Sequence, residues 1–332
     1  MNAPVLEVEN LVKRFPVGRG GLAVHAINDV SFRIGAGETL GLVGESGSGK
    51  STIGRTVLRL LDPTAGRIRF LGQDITTLPE RRCRELRGAM QMVFQDPWSA
   101  LNPRMSVAAL LEEPLKLHTS LNASQRRDRV QELAHSVRLP AEALRRNPSG
   151  MSGGQLQRVC IARAIATAPK LIVLDEPTSS LDLSVRAGIL DLLAQIQADT
   201  GVALLFITHD LGTVQRISDR IMVLYLGAVT EYASAEALFR APQHPYSQAL
   251  ISAHLPADPR SRLHRHVLQG EIPSPLRLPA GCAFASRCPV VRDDCRRIRP
   301  PLEPVRSGDD LAACLRIADG SNRITVLEEN PA

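Results

Sequence analysis

The run Gly44-Glu45-Ser46-Gly47-Ser48-Gly49-Lys50-Ser51 constrains this chain more than any other feature. It has the form G-x-x-x-x-G-K-[ST], whose glycines let the backbone curl until successive N–H groups point at phosphate oxygens. It follows a short apolar run, Thr39–Val43, and opens a helically spaced stretch, Lys50–Leu61, that stops at Asp62-Pro63. A helix beginning there adds its positive N-terminal end to the same anion site. Lys50 is expected to reach the β- and γ-phosphates of a nucleotide, and the Ser51 hydroxyl to ligate Mg2+. The lysine is informative in itself. Only Lys13, Lys50, Lys116 and Lys170 depart from arginine among 40 cationic residues, yet a compact ammonium stands where a point charge fits the loop. The alternative, a Gly-rich turn of no chemical use, leaves the strand–loop–helix setting unexplained.

The rest of the chain supplies matching elements. Leu6–Arg14 and Ala26–Ile34 read as strands, with turn chemistry at Gly18–Gly21 between them. Leu171–Leu174 and Val202–Ile207 are continuous apolar runs, the pattern of parallel strands covered on both faces. A helix-like span, Ser184–Ala198, lies between them. Strand, helix and strand in this order predict an α/β domain with a mostly parallel sheet. From about Ser106 to Ala166 the pattern is Leu/Ala-rich and helical (Val107–Leu117, Ser124–Val137), without a convincing strand, and reads as an insertion. From about His244 the chain is rich in Pro, Arg and Cys with weak periodicity, as expected of a separate C-terminal extension. No repeat of fixed period is evident.

Composition excludes several classes. The 332 residues suit about two domains, and 44% hydrophobic with 22% charged is neither disordered nor fibrous. The longest apolar stretches, such as Ile221–Val229, fall far short of the roughly 18–20 residues that a membrane span needs. The first residues lack a signal-peptide apolar region, so neither export nor a membrane span is expected. The net charge of +6 is a mild basic excess spread along the chain. There is no dense basic block interleaved with aromatics, and 3% aromatic residues cannot build a stacking platform, so no nucleic-acid partner is expected.

Two carboxylates, Asp175 and Glu176, close the run Leu171-Ile-Val-Leu. Asp175 suits holding Mg2+ and Glu176 suits polarising an attacking water; a pair of solvated acids at a strand end is the bland reading. His209, two residues past Ile207, is by itself as readily structural. Taken together, strands ending at Val43, Leu174 and Ile207 each deliver a chemical group at a carboxyl end, where open α/β sheets bind ligands.

Ser152-Gly153-Gly154-Gln155 precedes a helical run, Gln157–Ala166. With the phosphate loop, Asp175-Glu176 and His209 in this order, the chain resembles the ATP-binding-cassette (ABC) ATPases over about residues 4–240. The resemblance implies a P-loop NTPase fold of the ABC type, a mostly parallel core sheet with an antiparallel β part. It implies that ATP and Mg2+ bind at Gly44–Thr52, with Glu45, Ser46, Gly47, Ser48 and Gly49 supplying the cradle and Thr52 following Ser51. It further implies that Phe15 stacks on adenine, a core phenylalanine being the alternative. Ser51, Gln95 and Asp175 attend the metal, Glu176 acts as base, and His209 holds the γ-phosphate and orients Glu176. Ser152–Gln155 matches the signature motif, which closes over ATP held by a second subunit, and Asp182 lies in a loop crossing that interface. Met151 and Leu156 depart from the family's usual Leu and cation, and neither removes a phosphate donor.

The tail resembles the extension of peptide-importer ATPases, through His244-Pro245-Tyr246-Ser-Gln-Ala-Leu-Ile-Ser-Ala and Gly281-Cys282-Ala-Phe-Ala-Ser-Arg-Cys288-Pro. Gln91–Val107 is similar to the dipeptide/oligopeptide branch, whose relatives include nickel and glutathione importers. The implied division is a nucleotide-binding domain at 1–243, with a helical subdomain at about 101–166, and an extension at 244–332. The implied role is ATP hydrolysis driving peptide uptake, with nickel or glutathione as alternative cargo; a soluble ABC ATPase acting on nucleic acid or ribosomes, or an exporter, is the rival. Expected partners are a second ATPase, similar or identical, two transmembrane permease subunits and an extracytoplasmic solute-binding protein. The expected location is peripheral, on the cytoplasmic face of the cell membrane. Cys282, Cys288, Cys295 and Cys314 cluster in the tail, and clustered Cys in a cytosolic chain point to metal before disulfide. Members of this branch can carry a [4Fe–4S] cluster here; reduced, packed thiols are the alternative. Cys83 and Cys160 read as ordinary small apolar residues.

Overall fold

Alternation along a few buried strands decides how the layers stack. The computed structural model describes residues 3–18, 20–253, 268–305 and 309–324. Among them the strands are β1 (Leu6–Val17), β2 (Leu22–Ile34), β3 (Thr39–Val43), β4 (Ala65–Phe70), β5 (Gln73–Asp74) and β6 (Met90–Val93), followed by β7 (Leu171–Asp175), β8 (Ala203–Ile207), β9 (Arg220–Tyr225), β10 (Ala228–Ser234), β11 (Glu303–Pro304) and β12 (Leu311–Ala312). One sheet is antiparallel in the order β2-β1-β4-β5. The other has the order β11-β12-β10-β9-β3-β8-β7-β6, and its β9-β3-β8-β7-β6 portion is parallel.

Residues of β7, β8 and β9 point alternately to opposite faces, as strand pleating requires. Leu171, Val173, Ala203, Leu205, Ile207, Met222 and Leu224 face the antiparallel sheet and pack with Leu6, Val8, Ile34, Ile68 and Phe70. Ile172, Leu174, Leu204 and Phe206 face the other way, against the helices that contribute Leu110, Leu111, Leu133, Val159 and Ile189. Each such side chain, fully buried, contributes about 1.5–3 kcal/mol over its exposed state. The parallel sheet is thus covered on both faces, which is why its strands read as unbroken apolar runs.

The helices of the middle segment run Val107–His118, Ala123–Ser136 and Gly153–Ile165. Each has an N-cap side chain: Ser106 accepts from Ala109 N–H, while Asn122 with Gln125 and Ser152 with Gln155 form capping boxes. One element differs from the sequence expectation. The helix after the phosphate loop runs Lys50–Val57, not to Leu61. Arg59 takes a left-handed conformation (φ 54°), with its guanidinium donating to the Ile75 and Leu78 carbonyls and pairing with Asp62. The apolar stretch Ile221–Val229 is a β9–β10 hairpin, turning at Leu226 (φ 49°) and Gly227 (φ 77°).

Tail residues add to this framework. β12 pairs antiparallel with β10, Glu231 opposite Ala312 and Tyr232 opposite Leu311. Tyr246 and Phe284 are fully buried against Tyr225, with ring centres 4.8 and 5.3 Å from it. His244 caps the helix Pro245–Ser252, its Nδ1 accepting the Tyr246 N–H at 3.0 Å, and only an unprotonated Nδ1 can do so.

Burial pushes the His244 pKa down to about 3 from an ordinary 6.5. The folded chain therefore binds fewer protons than the unfolded chain below pH 6.5. Its contribution is complete above that value and is lost progressively as the pH falls toward 3. Denaturant unfolding between pH 6.5 and 4 should show His244→Gln removing a slope of up to about 1.4 kcal/mol per pH unit. Parallel curves for the two proteins would contradict a buried neutral ring.

Candidate functional site

Past Val43 the chain turns through Gly44–Gly49 into the helix Lys50–Val57, and two backbone contacts dictate the glycines. At Gly44 a Cβ would stand 2.2 Å from the Leu224 carbonyl oxygen; at Gly49 (φ 98°) it would stand 2.2 Å from that of Ala26. The loop is therefore gripped between the end of β9 and β2, and Gly227 N–H donates to Ser48 O at 3.1 Å. Ser46 and Gly47 are exposed at its crest. Lys50, only 6% exposed, donates to the carbonyls of Gly44 (2.7 Å) and Glu45 (3.0 Å). Burial draws its pKa below the ordinary lysine value, and the charges of Glu176, Asp175 and Glu45 oppose that shift.

Three neighbouring parallel strands deliver the rest. Ser51 Oγ donates to Asp175 Oδ1 at 2.7 Å. Burial raises the Asp175 pKa against the Ser51 hydrogen bond, so the carboxylate carries an uncompensated desolvation cost. A hydroxyl and a carboxylate oxygen held this close are oxygen donors of the kind Mg2+ takes beside phosphate oxygens, so the residues fit that ion. Glu176 follows with φ 47°, a left-handed conformation that costs on the order of 1–3 kcal/mol in a non-glycine residue. Its N–H donates to Ile207 O at 2.9 Å, and its carbonyl accepts from Ser179 N–H and Oγ. That backbone turns the side chain into the site. There Gln95 Nε2 donates to Glu176 Oε2 at 3.2 Å, and His209 Nδ1 lies 3.2 Å from Oε1. A carboxylate bracketed by an amide and an imidazole is oriented to accept a proton from water.

The other expected residues fall in three places. Phe15 is half-buried near the tip of the β1–β2 hairpin, outside the three core clusters, with the Lys13 ammonium 4.9 Å from its ring centre. Ser152 caps the helix Gly153–Ile165, and its packing brings it to the Asp182 loop. A Cβ on Gly154 would stand 2.6 Å from Val185 Cγ1, and one on Gly153 3.6 Å from Leu181. Among the described residues no hydrogen bond or ion pair joins Ser152–Gln155 or Asp182 to the phosphate loop. The four tail cysteines line one tight cavity, of about 10 Å3, with His244, Phe284 and Arg316. All are free thiols, and burial pushes Cys282 up to about 11 and Cys288 up to about 12. Among the described residues no three His, Cys, Asp or Glu side chains converge as a single metal ion requires.

Sequence reasoning missed the partners of Glu45. Glu45 forms an ion pair with Arg287 at 2.7 Å, and its N–H donates to Tyr246 Oη at 3.0 Å. These partners stand 242 and 201 positions away, and no local pattern connects them.

Comparison with known proteins gives the family and the fold. A family model described as "ABC transporter" matches residues 27–179, and one described as "Oligopeptide/dipeptide transporter, C-terminal region" matches 230–295. The chain is 46% identical to a probable peptide ABC transporter ATP-binding protein of Sinorhizobium fredii, over 95% of this chain and 91% of that one. It is 41% identical to the dipeptide transport ATP-binding protein DppF of Escherichia coli, over 97% of each. Among solved structures, a dimeric bacterial ABC transporter cassette is 30% identical with a TM-score of 0.64, covering 69% of this chain and 98% of its own. A post-hydrolysis cassette dimer bound to ADP and phosphate is 29% identical with a TM-score of 0.63, covering the same shares.

The loop folds around the Lys50 ammonium, the cation expected from the sequence to meet the phosphates. Titration calorimetry with Mg-ATP should show Lys50→Ala weakening binding by more than about tenfold, a loss above about 1.4 kcal/mol. Equal affinities would remove the phosphate-loop assignment.

Proposed function

Because this chain belongs to the ATP-binding-cassette transporter ATPases, we propose that it is the ATP-hydrolysing subunit energising import of dipeptides or oligopeptides. Hydrolysis is carried by one observation, the Glu176 carboxylate held between Gln95 and His209 beside Lys50, Ser51 and Asp175. The cargo class is supported by the match of residues 230–295 and by the peptide-transport names of the relatives. We assign 1–243 to the nucleotide-binding domain, with its helical subdomain at about 101–166, and 244–332 to the extension.

In this reading the N–H groups of Gly44–Thr52 and the Lys50 ammonium take the β- and γ-phosphates, and Phe15 stacks on adenine. Ser51, Asp175 and Gln95 would hold Mg2+, which supplies positive charge to the phosphate oxygens when bound. Glu176 accepts a proton from water as the water oxygen bonds to the γ-phosphorus and the bond to ADP breaks. Gln95 keeps the carboxylate aimed, while His209 orients it and contacts the γ-phosphate. Ser152–Gln155 has a hydroxyl, backbone N–H groups and a helix N-terminus but no phosphate of its own to bind. It serves the nucleotide of a second subunit, across an interface that Asp182 joins. ATP closes this dimer and hydrolysis reopens it.

The membrane partners are two permease subunits served by a solute-binding protein. No helix among the described residues is long and apolar enough to cross a membrane; the peripheral place on the cytoplasmic face is proposed from the family and the transport ATPases it resembles. A docking cleft is at hand. Leu58, Leu60, Met90, Phe94, Pro114 and Leu117 help line a space of about 260 Å3 between core and helical segment. Phe94, which lines this space, is the neighbour of Gln95, and on the family likeness we assign coupling to the membrane partner to this loop and the helical segment.

We propose Cys282, Cys288, Cys295 and Cys314, which line one cavity as free thiols, as the residues that would hold a [4Fe–4S] cluster, with reduced, packed thiols as the alternative. Assay of anaerobically purified protein should give about four iron and four sulfide per chain. A metal-free, folded chain would leave reduced thiols as the answer.

Glu176→Gln should bind ATP yet hydrolyse it at least about a hundredfold more slowly, and should accumulate as a closed dimer by size-exclusion chromatography. Brisk turnover would dismiss Glu176 as the base. Reconstitution with the permease subunits and binding protein should show ATP turnover stimulated by short peptides. Stimulation by nickel or glutathione alone would reassign the cargo.

A further inference from the structure

The phosphate loop carries a carboxylate of its own, and a carboxylate beside a triphosphate site repels the ligand unless it is neutralised. Here the neutralising group comes from the tail. Arg287 Nη1 donates to Glu45 Oε2 at 2.7 Å and Nη2 to Oε1 at 3.1 Å, a two-pronged pair. The arginine side chain is 9% exposed and the glutamate 26%. The guanidinium also lies 5.9 Å from the centre of the Tyr225 ring. Tyr246 holds the same loop residue through its backbone, the hydroxyl accepting the Glu45 N–H. The hydrogen bonds to Glu45 hold the Arg287 pKa above its already high ordinary value. The Glu45 charge is also among those acting on Lys50. The charge that Arg287 cancels is therefore felt at the ammonium that meets the phosphates.

We propose that Arg287 is a positioning residue of the nucleotide site, neutralising Glu45 and drawing its carboxylate toward the tail, so that it sets ATP affinity without touching ATP. This rests on the phosphate-loop reading above and deepens it. The role needs a permanent charge and a planar fork, which arginine supplies and lysine does not. It also explains why the tail packs so closely on the loop: Tyr225, Tyr246 and Phe284 form the apolar bed beneath the pair.

The test uses the full chain and measures KM for Mg-ATP, kcat, the ATP dissociation constant and the thermal midpoint. Arg287→Gln should raise KM on the order of tenfold with kcat changed less than about twofold. Adding Glu45→Gln to it should bring KM back to within about threefold of the unmodified chain, because the uncompensated carboxylate is gone. A merely structural contact would not be rescued by removing its second partner. Arg287→Lys should fall between Arg287→Gln and the unmodified chain. Should Arg287→Gln fail to fold, Arg287→Lys decides: its KM should rise with kcat changed less than about twofold, and an unchanged KM in the folded variant would overturn the proposal. Unchanged KM in Arg287→Gln, or a double variant worse than either single, would overturn it too. An unmodified chain that binds no ATP would instead sink the functional reading on which the inference stands.

Discussion

Two carbonyl oxygens set the terms for the rest of this molecule. Leu224 O and Ala26 O approach the phosphate loop so closely that neither Gly44 nor Gly49 has room for a methyl group. The first carbonyl belongs to the parallel sheet and the second to the antiparallel one, so the loop is where the two sheets are pinned together. Its geometry follows from the packing of β2 and β9. A loop held this way needs little reorganisation to receive phosphate, the condition under which backbone donors are most effective.

The same strands that grip the loop also align its chemistry. β3, β7 and β8 are neighbours with parallel register, Leu42 beside Ile207 and Leu174 beside Phe206. Ser51, Asp175, Glu176 and His209 therefore emerge at one level. The left-handed backbone at Glu176 is the clearest departure from relaxed geometry there, and it aims the carboxylate between Gln95 and His209. On the proposed reading the chain carries two half-sites, the phosphate loop and the Ser152 helix start. The second sits against the Asp182 loop rather than against the first, which is the arrangement a head-to-tail pair of subunits needs.

Much of this was legible in the sequence because the responsible signals are local. Gly44–Ser51 encodes its own curl, and unbroken apolar runs mark strands buried on both faces. Asp175-Glu176 and His209 are visible as polar residues just past such runs. What was hidden depends on distance or on competition. The helix after the loop stops at Val57 because the Arg59 guanidinium finds the Ile75 and Leu78 carbonyls, a tertiary preference with no trace in helical spacing. Arg287 lay beyond reach for a plainer reason. A cation in an arginine-rich tail is one of many, and only the folded chain shows which carboxylate it meets.

The pairing of β12 with β10 carries a consequence for the handling of this protein. A strand flanking a sheet presents unpaired N–H and C=O groups that recruit other chains, and native proteins blunt such margins by covering them. Leu311–Ala312 performs that service along Glu231 and Tyr232. Polypeptides shortened before this point would display a bare, largely apolar template for self-association, so their poor solubility would say nothing about catalysis.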